Sequence, residues 1–354
     1  MKRNFTLFEE MVSHSERQRI EQYFSASKRP IIFGHISPDG DSIGSCLALY
    51  HYFKLSGITP WVAMSGHCPN TLKYLSDYEK ILFVVGEEYP KELDRALREA
   101  DLFISLDHNS IYRVGKVLAD KVRSALTAKK RPYICIDHHE EPGDEFDYVL
   151  CRPQAAATCE ILSLILCKAK EITPTIATCL LTGIITDTGL FNHSSAHPQL
   201  FEVVASLLRY GADKEAIVDH IFHRFSADRQ KLEGYVLHEK MHILPQYKTA
   251  YFSLTLDEQR HFNVTPGDTE GLVNKPLNID GIDIAAFFKE TLHEGIKISL
   301  RSRANASVND IASNAFGGGG HICAAGAEYE GTMQDAIAIF IDYLAKYRDT
   351  TNNA

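Results

Sequence analysis

Short unbroken apolar runs alternate along the chain with stretches whose apolar residues recur every three or four positions. Residues 31–33 (IIF), 60–64, 81–85, 102–106 (LFISL) and 133–136 read as buried strands. Between them, Ile43, Cys46, Leu47 and Tyr50 fall at helical spacing, and 91–100 and 117–129 are helical in composition. An amphipathic helix over 7–25 precedes the first strand, with Phe8, Met11, Ile20 and Tyr23 on its apolar side. This alternation predicts a parallel sheet flanked by helices. From Ala155 the pattern turns helical (ATCEILSLILCKAK, then TPTIATCLLTGIITDTG), with more helix over 198–225. A polar helix at 228–242 reads as a connector. Beyond it, TAYFSLT, GIDIAAFFKE and GIKISLRSR read as strands, followed by a helix at 308–315, a four-glycine loop and a helix over 333–347. The expected division is a catalytic α/β domain at 1–225, a linker helix at 226–247, a smaller α/β domain at 248–347 and a frayed tail at 348–354.

The polar residues that end the apolar runs carry the chemistry. The first run leads into His35, Asp39 and Asp41, on a loop rich in Gly, Ser and Pro, before a helix that Ser42 or Asp41 would cap. The run at 102–106 ends on Asp107, the run at 133–136 on Asp137-His138-His139, and a helical stretch on Asp187. In an open parallel sheet such positions share the carboxyl edge, where ligands bind. A capping aspartate would explain one acid, but not this recurrence. Carboxylates held close together repel, and a divalent cation offsets that repulsion. Oxygen and imidazole donors together suit Mn²⁺, with Mg²⁺ or Co²⁺ as alternatives. The donors suffice for two ions, and a pair roughly 3.5–4 Å apart activates water and clamps a phosphoryl group. The expected reaction is hydrolysis at phosphorus.

Composition narrows the partners. The chain has 354 residues, enough for two domains, and its net charge of −9 argues against a broad nucleic-acid surface while leaving room for a small basic pocket. Eight cysteines form no CxxC pair, so neither a zinc site nor a redox motif is indicated; Cys46, Cys135 and Cys179 read as buried thiols. The N-terminus lacks the apolar core of a signal peptide, and no 18-residue apolar span exists. The expectation is a cytoplasmic protein without a membrane partner.

A second chemical stretch is NAFGGGGHICAAG (314–326). Gly318, Gly319 and Gly320 would let backbone N–H groups approach an anion, with His321 as a further donor. Upstream, Lys297, Ser299, Arg301 and Arg303 alternate with apolar residues, which places cations on one strand face, and arginine forks bind phosphate.

The motifs HISPDGDSIGS (35–45), Asp107, DHH (137–139), TDTG (186–189), SLRS (299–302) and GGGGH (317–321) together resemble those of DHH-family phosphoesterases with a C-terminal DHHA1 domain. Within that family the chain is similar to the NrnA-type oligoribonucleases, also called nanoRNases or pAp phosphatases. Neither the extra domains of RecJ exonucleases nor the membrane and sensory segments of large cyclic-di-AMP phosphodiesterases are expected. The resemblance implies that His35 and Asp39 hold one Mn²⁺, that Asp41, His138 and Asp187 hold a second, and that Asp107 bridges both. It implies that His139 contacts the scissile phosphate, that Asp137 orients a histidine, and that Arg301, Ser302, Gly318–Gly320 and His321 grip the substrate. Two positions depart from the family pattern: no arginine stands near Leu277, and Ile322 follows His321 where a basic residue is common. The implied activity is Mn²⁺-dependent hydrolysis of short oligoribonucleotides, or of 3′-phosphoadenosine 5′-phosphate (pAp) to AMP, with pApA and cyclic-di-AMP as further candidates. The active site is expected in a cleft between the domains, which would admit short RNA or a small nucleotide but no long nucleic acid. A homodimer is compatible with this reading. The competing readings are a pyrophosphatase or exopolyphosphatase of the same superfamily and a non-catalytic nucleotide-binding protein.

Overall fold

The computed structural model describes residues 11–167, 172–192, 197–292, 295–303 and 306–351. The start of the helix expected over 7–25 and the last three residues of the expected tail lie outside them. The chain divides into two units, Met1–Arg224 and Phe225–Ala354.

In the first unit, helix α1 (His14–Ala26) begins at a capping box. Ser13 accepts from the Glu16 amide and Glu16 reaches back to the Ser13 amide, a signal that apolar spacing alone overlooks. Six strands follow: β1 (Pro30–Phe33), β2 (Trp61–Ser65), β3 (Ile81–Val84), β4 (Leu102–Leu106), β5 (Tyr133–Asp137) and β6 (Tyr148–Cys151). They form one parallel sheet in the order β3-β2-β1-β4-β5-β6. The sixth strand escaped the sequence reading. Because β1, β4 and β5 are buried along their whole length, both faces must be covered, as a parallel sheet requires. Side chains alternate accordingly. Ile31, Phe33, Phe103 and Tyr133 pack under α3 (Glu92–Glu99) and α4 (Lys116–Ala128). Ile32, Ile104, Ile134 and Ile136 face the larger core built with α2 (Gly40–Leu55), α5 (Thr158–Leu166), α6 (Pro174–Asp187), α7 (Pro198–Arg209) and the short α8 (Lys214–Val218). The chain winds outward in both directions from β1 and β4, so the gap past their carboxyl ends is the topological switch point, the favoured ligand position in such sheets.

Two glycines bring helices α2 and α6 together. A Cβ at Gly44 would stand 2.5 Å from the Cys179 carbonyl oxygen, and one at Gly183 would lie 2.6 Å from Oδ1 of Asp41. The crossing depends on those missing side chains, and it carries Asp41 and Asp187 to one end.

The second unit is a mixed sheet in the order β11-β12-β10-β9-β8-β7, comprising β7 (His242–Leu244), β8 (Thr249–Leu254), β9 (Ile284–Glu290), β10 (Gly295–Ser302), β11 (Gly319–His321) and β12 (Ala324–Glu330). Only β8 and β9 pair parallel. The segment read as a connector contains α9 (Ala227–Tyr235), whose Leu232 packs with Val236, Phe252, Leu254 and Phe287 in this unit's own core. The opposite face is covered by α11 (Val308–Phe316) and α12 (Met333–Thr351), after the short α10 (Leu256–His261). Helix α12 runs through most of the segment expected to be a tail. No described helix is long and apolar enough to cross a membrane.

Candidate metal centre

Each donor is placed by backbone before any ion is considered. Asp39 caps α2, with Oδ1 accepting the amides of Asp41 and Ser42, both at 3.1 Å. It takes the capping position expected of Ser42 or Asp41 and releases both from it. The Ser42 hydroxyl instead accepts the His35 amide at 3.0 Å. Asp41 is fully buried at the N-terminus of α5, where its oxygens accept the amides of Thr158 (2.6 Å) and Cys159 (2.9 Å). Asp107 follows β4 at φ 62°, a left-handed conformation that costs a non-glycine residue on the order of 1 kcal/mol. The Thr158 hydroxyl donates to its Oδ1 at 3.2 Å. Thr158 and the α5 amides went unrecognised in the sequence. The available signal was a threonine opening a helix directly after three alanines.

The histidines are oriented through their Nδ1 atoms. His35 Nδ1 lies 2.8 Å from the Ile36 carbonyl, His138 Nδ1 3.3 Å from the Ala155 carbonyl, and His139 Nδ1 2.8 Å from Asp137 Oδ1. Such contacts select the tautomer that leaves Nε2 as a ligand nitrogen. His35 Nε2 then lies 3.5 Å from Asp39 and 3.4 Å from Asp107 Oδ2. His138 Nε2 lies 3.6 Å from Asp107 Oδ1 and 3.3 Å from Asp187. Donor atoms within 4.8 Å of one another form the trios His35–Asp39–Asp107 and Asp41–His138–Asp187, and Asp107–His138–His139 forms a third. Asp107 thus turns one oxygen to each side.

The electrostatics are those of a site built for positive charge. Burial, then the charge of Asp107, pushes the Asp41 carboxyl well above its ordinary value, and burial followed by Asp41 does the same to Asp187. At Asp39 burial acts upward but is outweighed by His35 together with the Ser42 and Asp41 amides, which hold it low. Burial would lower the proton affinity of His35, yet Asp39 and Asp107 raise it. No described Lys or Arg forms an ion pair with Asp39, Asp41, Asp107 or Asp187. The mixed oxygen and imidazole donors fit one or two divalent cations.

In the second unit the structure redistributes the expected substrate residues. Lys297, Ser299 and Arg301 share a face of β10, while Ile296, Ile298, Leu300 and Ser302 point to the buried one. Ser302 is buried, and its hydroxyl donates to the Ala306 carbonyl at 2.5 Å. Arg303 is also structural, donating to the carbonyls of Ile282 and Leu277. Arg301, half-buried, donates to the Leu300 carbonyl. Gly318 and Gly320 are demanded by the chain itself, since a Cβ at Gly318 would meet Ala327 and one at Gly320 would meet Ala325. Gly319 has open space before it. The His321 side chain lies outside the described residues, though its backbone pairs with Ala324.

Residues 29–184 match the DHH family, N-terminal domain, and residues 246–346 match the DHHA1 domain. The chain belongs to the DHH family. It is a phosphoesterase. It is 32% identical over 321 residues to a Thermus thermophilus protein named bifunctional oligoribonuclease and PAP phosphatase NrnA, covering 89% of each chain. A Mycoplasma genitalium protein of the same name is 31% identical over 302 residues, covering 84% of this chain and 87% of the relative. A crystal structure described as an exopolyphosphatase-related protein from Bacteroides fragilis superposes with a TM-score of 0.88 at 32% identity, over 96% of this chain and 98% of that one.

Proposed function

We propose that this DHH-family enzyme hydrolyses short oligoribonucleotides to mononucleotides and removes the 3′-phosphate of pAp, with two Mn²⁺ ions as cofactor. The observation that carries this reading is Asp107, whose two oxygens face two separate donor trios. In the proposal His35 and Asp39 hold one ion, Asp41, His138 and Asp187 hold the other, and Asp107 serves both. Bound metal supplies a hydroxide at neutral pH and neutralises phosphoryl charge. The chain's own groups do the rest. Asp137 fixes the His139 ring, so that His139 meets the scissile phosphate in one orientation. Arg301, Gly319 and His321 bind the remainder of the substrate, and Ser299 shares the Arg301 face of β10. The names of the two curated relatives favour nucleotide substrates over polyphosphate.

The test is a substrate panel with Mn²⁺: a ribodinucleotide, pAp, pApA, cyclic-di-AMP, pyrophosphate and linear polyphosphate. The ribodinucleotide or pAp should exceed polyphosphate and pyrophosphate in kcat/KM by about 100-fold. A preference for polyphosphate or pyrophosphate would overturn the reading.

A further inference from the structure

The loop after β4 carries a cation that the metal cluster does not use. From Asp107 the chain passes into a short 3₁₀ turn, Ile111–Val114, capped by the Ser110 hydroxyl. This loop is laced to both neighbours. The Ile36 amide donates to the Arg113 carbonyl at 2.6 Å, the Asn109 side chain donates to the Glu140 carbonyl at 2.6 Å, and the Ile111 amide donates to Glu145. Gly115 closes the turn at φ 91°, against Ser65 and Ile36. The Arg113 backbone is therefore fixed beside the residue that follows His35, while its side chain is exposed. Among the described residues Arg113 forms no ion pair, in a chain with 46 acidic and 37 basic side chains. Ile36, joined to it by that backbone hydrogen bond, is a large apolar residue left 46% exposed. A cation carried on a fixed backbone beside an exposed apolar side chain matches the two halves of a nucleotide, phosphate and base.

We propose that Arg113 binds a second, non-reacting phosphate of the substrate, with Ile36 against the attached sugar or base. This rests on the short-nucleotide reading above and names the group that reading leaves unassigned in the first unit.

The test compares Mn²⁺-loaded wild type, Arg113→Gln and Arg113→Lys on a ribodinucleotide with and without a 5′-phosphate. Arg113→Gln should raise KM for the 5′-phosphorylated form about tenfold, with kcat changed less than threefold and KM for the unphosphorylated form changed less than twofold, as loss of one charge-assisted contact would do. Arg113→Lys should recover part of that loss. An equal KM change on both substrates, or none on either, would overturn the assignment. Failure of wild type to cleave either dinucleotide would instead overturn the short-nucleotide reading, so the two failures are distinguishable.

Discussion

Replacing Asp107 by alanine should lower kcat by a factor of about 10⁴ at saturating dinucleotide, whereas Arg301→Ala should mainly raise KM and lower kcat less than about tenfold. The difference follows from position. Asp107 turns Oδ2 toward His35 at 3.4 Å and Oδ1 toward His138 at 3.6 Å, so one side chain sits in both donor trios. Removing it disorganises the two sites together, and no neighbouring carboxylate reaches both. Arg301 belongs to the second unit, on the exposed face of β10, and is in neither donor trio. Steady-state kinetics of the two variants with Mn²⁺ present provide the check. Equal losses in kcat would remove the distinction between a shared metal ligand and a substrate grip.

Asp187→Asn should have opposite effects on activity and on metal-free stability. Turnover should fall by about 10³ or more, because the variant deprives the second trio of its carboxylate. The metal-free protein at pH 8 should gain on the order of 1 kcal/mol, because burial and the charges of Asp41, Asp39 and Asp107 all disfavour the ionised Asp187. That figure is kept small because the Asp187 side chain is 24% exposed. The sign is set by proton uptake. Asp41 and Asp187 have raised folded-state values, so the folded form holds protons that the unfolded form releases above about pH 4. Stability therefore falls as pH rises. Glu160, raised to about 7 by burial, acts in the same direction, and so does His35, whose raised value favours folding at low pH. Asp39, held low, has made its whole contribution above its unfolded value and adds no slope there. Urea midpoints in chelator should decline between pH 5.5 and 8 in wild type and decline less in the variant. A variant that is both inactive and less stable at pH 8 would show misfolding rather than loss of a ligand.

Much of the first unit was legible because buried parallel strands read as continuous apolar runs, and because a donor placed after such a run must reach the carboxyl edge. His35, Asp107 and Asp137-His138-His139 could be located that way. The strand order could not. Nothing local in the sequence places β4 beside β1, yet that adjacency brings Asp107 to His35. The anchoring of Asp41 was hidden for a similar reason, since the amides that hold it come from residues 117 and 118 positions later. In the second unit one pattern serves two causes. The glycines at 318 and 320 look like an anion cradle, but strand packing already requires them. Ser302 and Arg303 continue an alternation that runs through Arg301, yet the strand ends at Ser302 and both side chains turn to backbone carbonyls.

The central claim is that one carboxylate organises two cation sites. Mn²⁺ titrated into chelator-treated wild type, with bound metal counted by mass spectrometry and spin coupling read by electron paramagnetic resonance, tests it most directly. Two ions per chain with an exchange-coupled signal, lost in Asp107→Ala, is the result expected from a shared oxygen donor pair. One ion per chain, or two uncoupled ions indifferent to Asp107, would contradict it.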